Sequence, residues 1–375
     1  MLTLRGGPEL VAYWAQLGSV IELVAGVALA GVGTGISVLV AQADGLDRRR
    51  GILRESLRLG LLVSAPVMLA VAAVSLAFPE HVAPGLSGPL IALAAVVGCM
   101  AVVPGMLNGY WLGQQRRDLM LALAVGSAAV QLVAAVAAPQ RQVLVVLTLA
   151  LAVPALAAIF FLGSPGRGTS AEEAGRSPLR RYILPGVTIG VLTPLGAVAA
   201  RDIVSAAMSW HEVGLLQALW RVSDWVGNVA AGVMAVHFLP RLAASHGTPR
   251  FAHELRRAAT ATILPSTAAL AVIGALHRPV FALLYDESFQ MTDATVALFF
   301  AGTLARIASW LPLYALYAMR RTGPLVVGEF LSMPLFAALL AAYPGPLSLE
   351  AAGALWLAAY AGYGLFNLWA VRRAA

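Results

Sequence analysis

Apolar stretches of about 20 residues recur along the whole chain, and this constrains the fold more than any other feature. A hydrocarbon layer of ~30 Å is crossed by a helix of about that length. Eleven stretches qualify: 9–40, 55–78, 87–112, 119–138, 143–162, 182–207, 212–240, 259–276, 293–318, 324–343 and 350–371. Irregular backbone cannot face lipid, and the stretches are too long for barrel strands, so they are expected as helices. Composition agrees: 60% of the 375 residues are apolar and 11% are charged, with mean hydropathy +0.81. A soluble protein is usually about one quarter charged. The expected fold class is therefore all-α, a polytopic membrane protein of 11 transmembrane helices.

The net charge of +7 by itself suits a nucleic-acid partner. The placement of the basic residues argues otherwise. All 25 are arginine, and 19 fall in alternate connections, among them "DRRRGILRESLR", "QQRRD", "SPLRRY", "MRRTG" and the final "VRR". By the positive-inside rule those connections are cytoplasmic, as is the C-terminus. With an odd helix count the N-terminus falls outside. No basic-aromatic run lies on a soluble face, so no nucleic acid is expected. A single cysteine, Cys99, excludes an intrachain disulfide framework and reads as a packing residue.

Residues 14–30 align with 216–232. Leu17, Val20, Val24, Val27 and Ala28 meet Leu219, Val222, Val226, Val229 and Ala230, and Glu22 meets Asp224. Two halves of equal topology follow, as parallel repeats. The first is an N-terminal bundle of five helices (1–162), the second a C-terminal bundle of six (182–375), and a cytoplasmic linker (163–181) joins them. On this reading the first half lacks its opening helix.

Charges at bilayer depth are costly unless they face protein or water, which makes them functional candidates. Arg221 and Asp224 are three apart and share a helix face. Either they form a local ion pair that fixes packing, or they line a wet cavity. Arg306 lies 13 residues from Asp293 and 14 from Arg320, too deep for its side chain to reach the interface. It has no acid within one turn, and Trp310 is placed to cover its guanidinium. Glu22 could carry a proton or pair with Arg221 across the halves. Glu329 could reach the cytoplasmic interface or pair with Arg320 or Arg321. Arg201 and Asp202 sit near the outer end of their helix and are expected to reach the interface. Prolines 66, 104, 154, 185, 194, 265, 312 and 334 fall inside spans and allow kinks. Glycines four apart (105, 109, 113; 31, 35; 186, 190) are expected to let helices approach closely. No His/Cys metal constellation is present, so neither metal nor cofactor is expected.

"SWHEVGLLQALWRVSD", followed by "FLPRLA", resembles the corresponding region of Wzx-type flippases, which share a superfamily with the MATE drug exporters and the lipid II flippase. The matching residues are Trp210, Glu212, Val213, Gly214, Gln217, Ser223, Asp224, Leu239 and Pro240. Gly7 and Pro8 resemble the family's entry to its second helix; Thr34, Gly35, Val40 and Ala41 resemble that helix's end. Arg306 and Glu329 fall where such proteins often carry a basic residue and a glutamate. Val38 and Thr303 depart from the pattern, standing where the family often has a lysine and an acid. The similarity is greatest to the flippases of O-antigen and enterobacterial common antigen (lipid III).

The resemblance implies a two-bundle fold of 5+6 helices, related to the 6+6 MATE-like fold, in the bacterial cytoplasmic (inner) membrane. It implies a flippase, not an enzyme, that moves an undecaprenyl-pyrophosphate-linked oligosaccharide between leaflets for polysaccharide biosynthesis. It also implies membrane lipid and a polysaccharide polymerase or ligase as partners. Arg221 and Arg306 would hold the pyrophosphate with Asp224 beside them; Glu22, Asp224 and Glu329 would tune charge or take protons. Two other classes stay open: a MATE-like cation-coupled drug antiporter, which wants an acidic cavity, and an integral-membrane transferase acting on lipid-linked sugars, which wants acids or histidines clustered at one membrane face. A non-transporting scaffold is a third.

Overall fold

The computed structural model describes residues 3–29, 32, 34–41, 43–162, 180–319 and 321–374. These form helices joined by short turns, with no strand among them. Ten segments are long and apolar enough to cross a membrane. The eleventh expected span, 212–240, does not qualify. Its helix, Trp210–Val233, is 24 residues long and so has the length. Gln217, Arg221, Asp224 and Asn228 make it too polar.

The chain divides into two compact units, Tyr13–Val198 and Leu2–Ala12 with Ala199–Ala375. Both divisions fall inside helices. The expected linker lies almost wholly outside the described residues.

The first unit contains most of α1 (Thr3–Ala28), then α2 (Thr34–Ala41), α3 (Leu46–Ala77), the short α4 (Pro79–Val82), α5 (Gly88–Gly113), α6 (Arg117–Ala137), α7 (Val143–Ala150), α8 (Val153–Leu162) and most of α9 (Arg180–Ala207). Leu17, Val20 and Val24 of α1 recur at helical spacing and pack on Ile91, Ala94 and Ala95 of α5. Ile36 and Val40 of α2 continue that seam against Val102 and Met106. By contrast α6 leaves Leu121, Val125, Leu132 and Val133 exposed. An apolar face of that size needs lipid as its solvent. Glycine spacing works as expected at two positions: a Cβ on Gly190 would lie 2.1 Å from the Gly26 carbonyl oxygen, and one on Gly113 would lie 2.7 Å from that of Ser37.

The second unit holds α10 (Trp210–Val233), α11 (Leu239–Ser245), α12 (Arg250–Ala275), α13 (His277–Leu284), α14 (Asp293–Ala318), α15 (Thr322–Phe330), α16 (Met333–Ala341) and α17 (Leu349–Ala374). Ser209 caps α10 by accepting from the His211 backbone N–H at 3.1 Å, and Thr292 caps α14 by accepting from that of Thr295 at 3.2 Å. α14 and α17 pack together along much of their length.

Several expected spans are interrupted. The described parts of the stretch 9–40 are α1 and α2, with Leu29 and Val32 in π-type backbone, and 212–240 is α10, a π-helical turn over Met234–Phe238, and α11. π-Turns commonly mark functional positions. The two breaks correspond in the internal repeat: Val32, also in π-type backbone, aligns with Met234. The buried pattern corresponds less well. All five repeat residues of α1 are buried, whereas Val229 of α10 is exposed. Pro154 and Pro334 stand at the start of new helices, α8 and α16, instead of kinking old ones. The arginine-rich "LDRRRGILRESLR" is helical, forming the first turns of α3.

Candidate functional site

Helical spacing puts Trp220, Ser223, Asp224 and Gly227 on one face of α10, and Phe299, Thr303, Arg306 and Trp310 on one face of α14. These faces meet. Thr303 Oγ1 donates to Ser223 Oγ at 2.9 Å, and both side chains are fully buried. One turn on, Arg306 Nη2 donates to Asp224 Oδ1 at 2.8 Å. The local alternative, an Arg221–Asp224 pair within α10, is not formed. Asp224 reaches across to the next helix, because Arg306 projects from the facing surface at the same level. So the arginine without an acid on its own helix takes its acid from another.

The guanidinium of Arg306 is 12% exposed and Asp224 39%. Trp310 covers the guanidinium at 5.5 Å, as the sequence spacing predicts, and Trp356 of α17 flanks it at 5.7 Å. The Tyr360 hydroxyl lies beside it. Its Nε–H is buried without an acceptor among the described residues. Gly227 leaves the space that the guanidinium fills: a Cβ there would lie 3.0 Å from Arg306 Nη2 and 3.2 Å from Trp310. Gly227→Ala should therefore displace the pair by a few tenths of an ångström. We expect altered tryptophan fluorescence from displacement of Trp310, with a thermal midpoint close to that of the parent.

Arg221 belongs to a different stripe. With Trp225 and Asn228 it forms an exposed face of α10, about 17 Å along the helix from Trp210. It makes no ion pair among the described residues. Tyr285, in the turn after α13, is near enough to feel its charge. Burial pushes that phenol up to about 12, and Arg221 opposes the shift.

Two sequence expectations are corrected. Arg201 does not reach the interface; it is 5% exposed. Its Nε and Nη2 donate to Gln217 Oε1 at 3.2 and 3.0 Å, and it stacks 5.4 Å over Trp220. α9 turns this residue onto α10, where Gln217 and Trp220 occupy the facing positions. Nor does Glu329 reach the interface or pair with Arg321, which is exposed; Arg320 lies outside the described residues. Glu329 is 8% exposed and accepts from the Tyr363 hydroxyl at 3.1 Å. The helix breaks just after it, between α15 and α16, and Ser332 donates to its carbonyl at 2.7 Å. Glu22 is exposed on α1 in the first unit, whereas the other named residues belong to the second.

Sequence reasoning missed Trp356, which is fully buried among Trp220, Phe299, Phe336 and Tyr360. The available signal was Trp356, Tyr360 and Tyr363 at i, i+4 and i+7 in the last helix.

No family model matches the sequence, and no curated protein matches it significantly. Solved structures do match in fold. An inward-facing multidrug-resistance MATE-family transporter of the MOP superfamily superposes with TM-score 0.77 at 15% identity, over 100% of this chain and 91% of the other. An outward-facing multidrug-resistance MATE transporter gives 0.70 at 13%, over 99% and 89%. A MOP-superfamily transporter from Pyrococcus furiosus, described as having a binding pocket of reverse polarity that suggests a different function, gives 0.64 at 13%, over 98% and 89%. The chain thus has the all-helical fold of the MATE transporters, spanning its whole described length.

Proposed function

We propose that this protein is a membrane transporter that moves an undecaprenyl-pyrophosphate-linked oligosaccharide from the cytoplasmic to the periplasmic leaflet of the cytoplasmic membrane. The observation that carries the reading is the exposed guanidinium of Arg221, well inside a helix of membrane-spanning length. A bare cation at that depth requires water, hence a hydrated cavity. Its neighbour Asp224 does not neutralise it, because Arg306 holds that carboxylate. The two arginines and one aspartate leave a net positive wall, which suits an anionic headgroup and repels a cation.

The pyrophosphate would meet Arg221 first. It would then compete with Asp224 for Arg306, whose fork can grip two phosphate oxygens at once. The buried Nε–H of Arg306 is a donor with nothing to lose by this exchange. Asp224 acts as a placeholder that keeps Arg306 positioned between cycles. Bound anion then differs from empty site in its contacts, which is what a conformational equilibrium needs in order to shift. The prenyl tail would remain in lipid, and the product would pass to a periplasmic polymerase or ligase. Glu329, buried against Tyr363 at a helix break, is the group we assign to proton coupling.

A cation-expelling drug antiporter is the competing reading, favoured by the multidrug transporters among the structural neighbours. It needs Asp224 free. The pair with Arg306 argues against it.

Reconstituted liposomes containing fluorescent lipid-linked oligosaccharide test the proposal. Arg221→Ala should slow transport about tenfold, roughly the 1.4 kcal/mol expected of one charge-assisted contact. Arg221→Glu should stop it. Transport by the charge reversal at the parent rate would refute the assignment. Glu329→Gln should leave basal transport measurable but remove its acceleration by an imposed pH gradient; an unaltered response to the gradient would exclude Glu329 from coupling.

A further inference from the structure

The second unit contains a cleft that the headgroup reading leaves unused. It lies between α13 and the start of α14, has a volume of about 760 Å³, and is lined by Arg278, Asp286, Glu287, Phe289, Gln290 and Thr292 among others. Pockets that enclose small ligands run from about 300 to 1,000 Å³. The arginine asymmetry of the connections puts this end of the unit outside the membrane.

The frame of the cleft is fixed by its own contacts. His277 Nδ1 lies 3.0 Å from the Gly274 carbonyl oxygen, and Arg278 donates to Asp293 at 3.3 Å. Thr292 donates to Glu350 of α17 at 2.6 Å. Asp286 accepts from the Ser288 backbone N–H at 2.7 Å, which closes the turn. Tyr285 stacks on Phe289 at 4.6 Å and on Phe281 at 5.9 Å, giving the floor an aromatic base. Glu287 and Gln290 take no part in this frame. Both are exposed, line the cleft, and make no hydrogen bond among the described residues.

We propose that this cleft is a docking site for the sugar moiety of the cargo, resting on the flippase reading above. A carboxylate and a carboxamide with free acceptors, beside a guanidinium, match the adjacent hydroxyls of a sugar ring. Two carboxylates close together disfavour an anionic headgroup, so the cleft and the arginine site sort the two ends of one molecule. Tyr285 joins them: it is adjacent in sequence to Asp286 of the cleft and lies within reach of the Arg221 charge. Cargo whose pyrophosphate rests near Arg221 would have its first sugars at this cleft.

The test uses the full chain in liposomes and two cargoes: lipid-linked oligosaccharide extracted from the source organism, and the same prenyl pyrophosphate lipid trimmed of all its sugars. Two variants are made, Glu287→Gln with Gln290→Ala, which alters only exposed side chains, and Ala282→Trp, which fills the cleft. Both should slow the full-length cargo tenfold or more and leave the trimmed cargo within twofold of the parent. Equal effects on the two cargoes, or none on either, overturn the docking site. Failure of the parent protein to move either cargo instead overturns the flippase reading beneath it.

Discussion

Replacing Arg306 by alanine should reduce transport about 100-fold while the protein remains folded and inserted. Truncating one member of a hydrogen-bonded charge pair at a binding site typically costs 2–5 kcal/mol, and about 2.7 kcal/mol corresponds to that factor. Folding should suffer less. Asp224 is left unpaired by the change but is 39% exposed, so water can take over from the guanidinium. Arg306→Lys should not rescue transport. An ammonium keeps the charge but cannot grip two oxygens in a plane or stack between Trp310 and Trp356. The check is a transport assay beside size-exclusion elution and a thermal midpoint. Transport at the parent rate by Arg306→Ala, at equal reconstitution, removes Arg306 from the site.

The second large effect is on stability. Gly302→Val should destabilise the second unit by about 3 kcal/mol, the upper end of ordinary overpacking. A Cβ at Gly302 would lie 2.2 Å from Trp356 Cδ1 and 2.9 Å from the Leu357 backbone nitrogen. Trp356 is fully enclosed by aromatic neighbours and cannot retreat; a backbone nitrogen yields still less. The same substitution also pushes Trp356 against Arg306, so transport should fall with stability. Gly18→Ala is the control, since no atom lies within 4 Å of the added carbon. A lowered melting midpoint in detergent for Gly302→Val, and an unchanged one for Gly18→Ala, is the expected outcome. Equal midpoints for Gly302→Val and its parent would show that α14 and α17 are free to separate.

Most of the helices were legible from the sequence because lipid-facing residues are chosen by one criterion, and runs of apolar residues report it directly. Breaks within a run were not legible. Pro334 reads equally as a kink or as the start of a helix, and only the turn at Leu331 and Ser332 decides between them. α10 was expected as a span and is too polar to qualify as one: it has the length, but Gln217, Arg221, Asp224 and Asn228 lower its hydropathy. At the site, the residue types were identifiable but their partners were not. Spacing within one helix offered Asp224 to Arg221; the facing helix offered Arg306, and interhelical register is not written in either sequence alone. Glu329 shows the same limit. The nearest charged residues in its sequence are Arg320 and Arg321, yet its partner, Tyr363, lies on another helix. Arg201 was judged by its distance from the helix end, whereas Gln217 and Trp220 determined its burial.

The sign of the binding site is the central claim, and one binding measurement addresses it. Purified protein in detergent is titrated with farnesyl pyrophosphate and, separately, with tetraphenylphosphonium, following intrinsic tryptophan fluorescence, to which Trp225 and Trp310 near the arginines contribute. The account predicts saturable binding of the pyrophosphate, weakened at least tenfold by Arg306→Ala and by Arg221→Ala, and no saturable binding of the cation. Saturable binding of tetraphenylphosphonium that disappears in Asp224→Asn, with no response to farnesyl pyrophosphate, would contradict it.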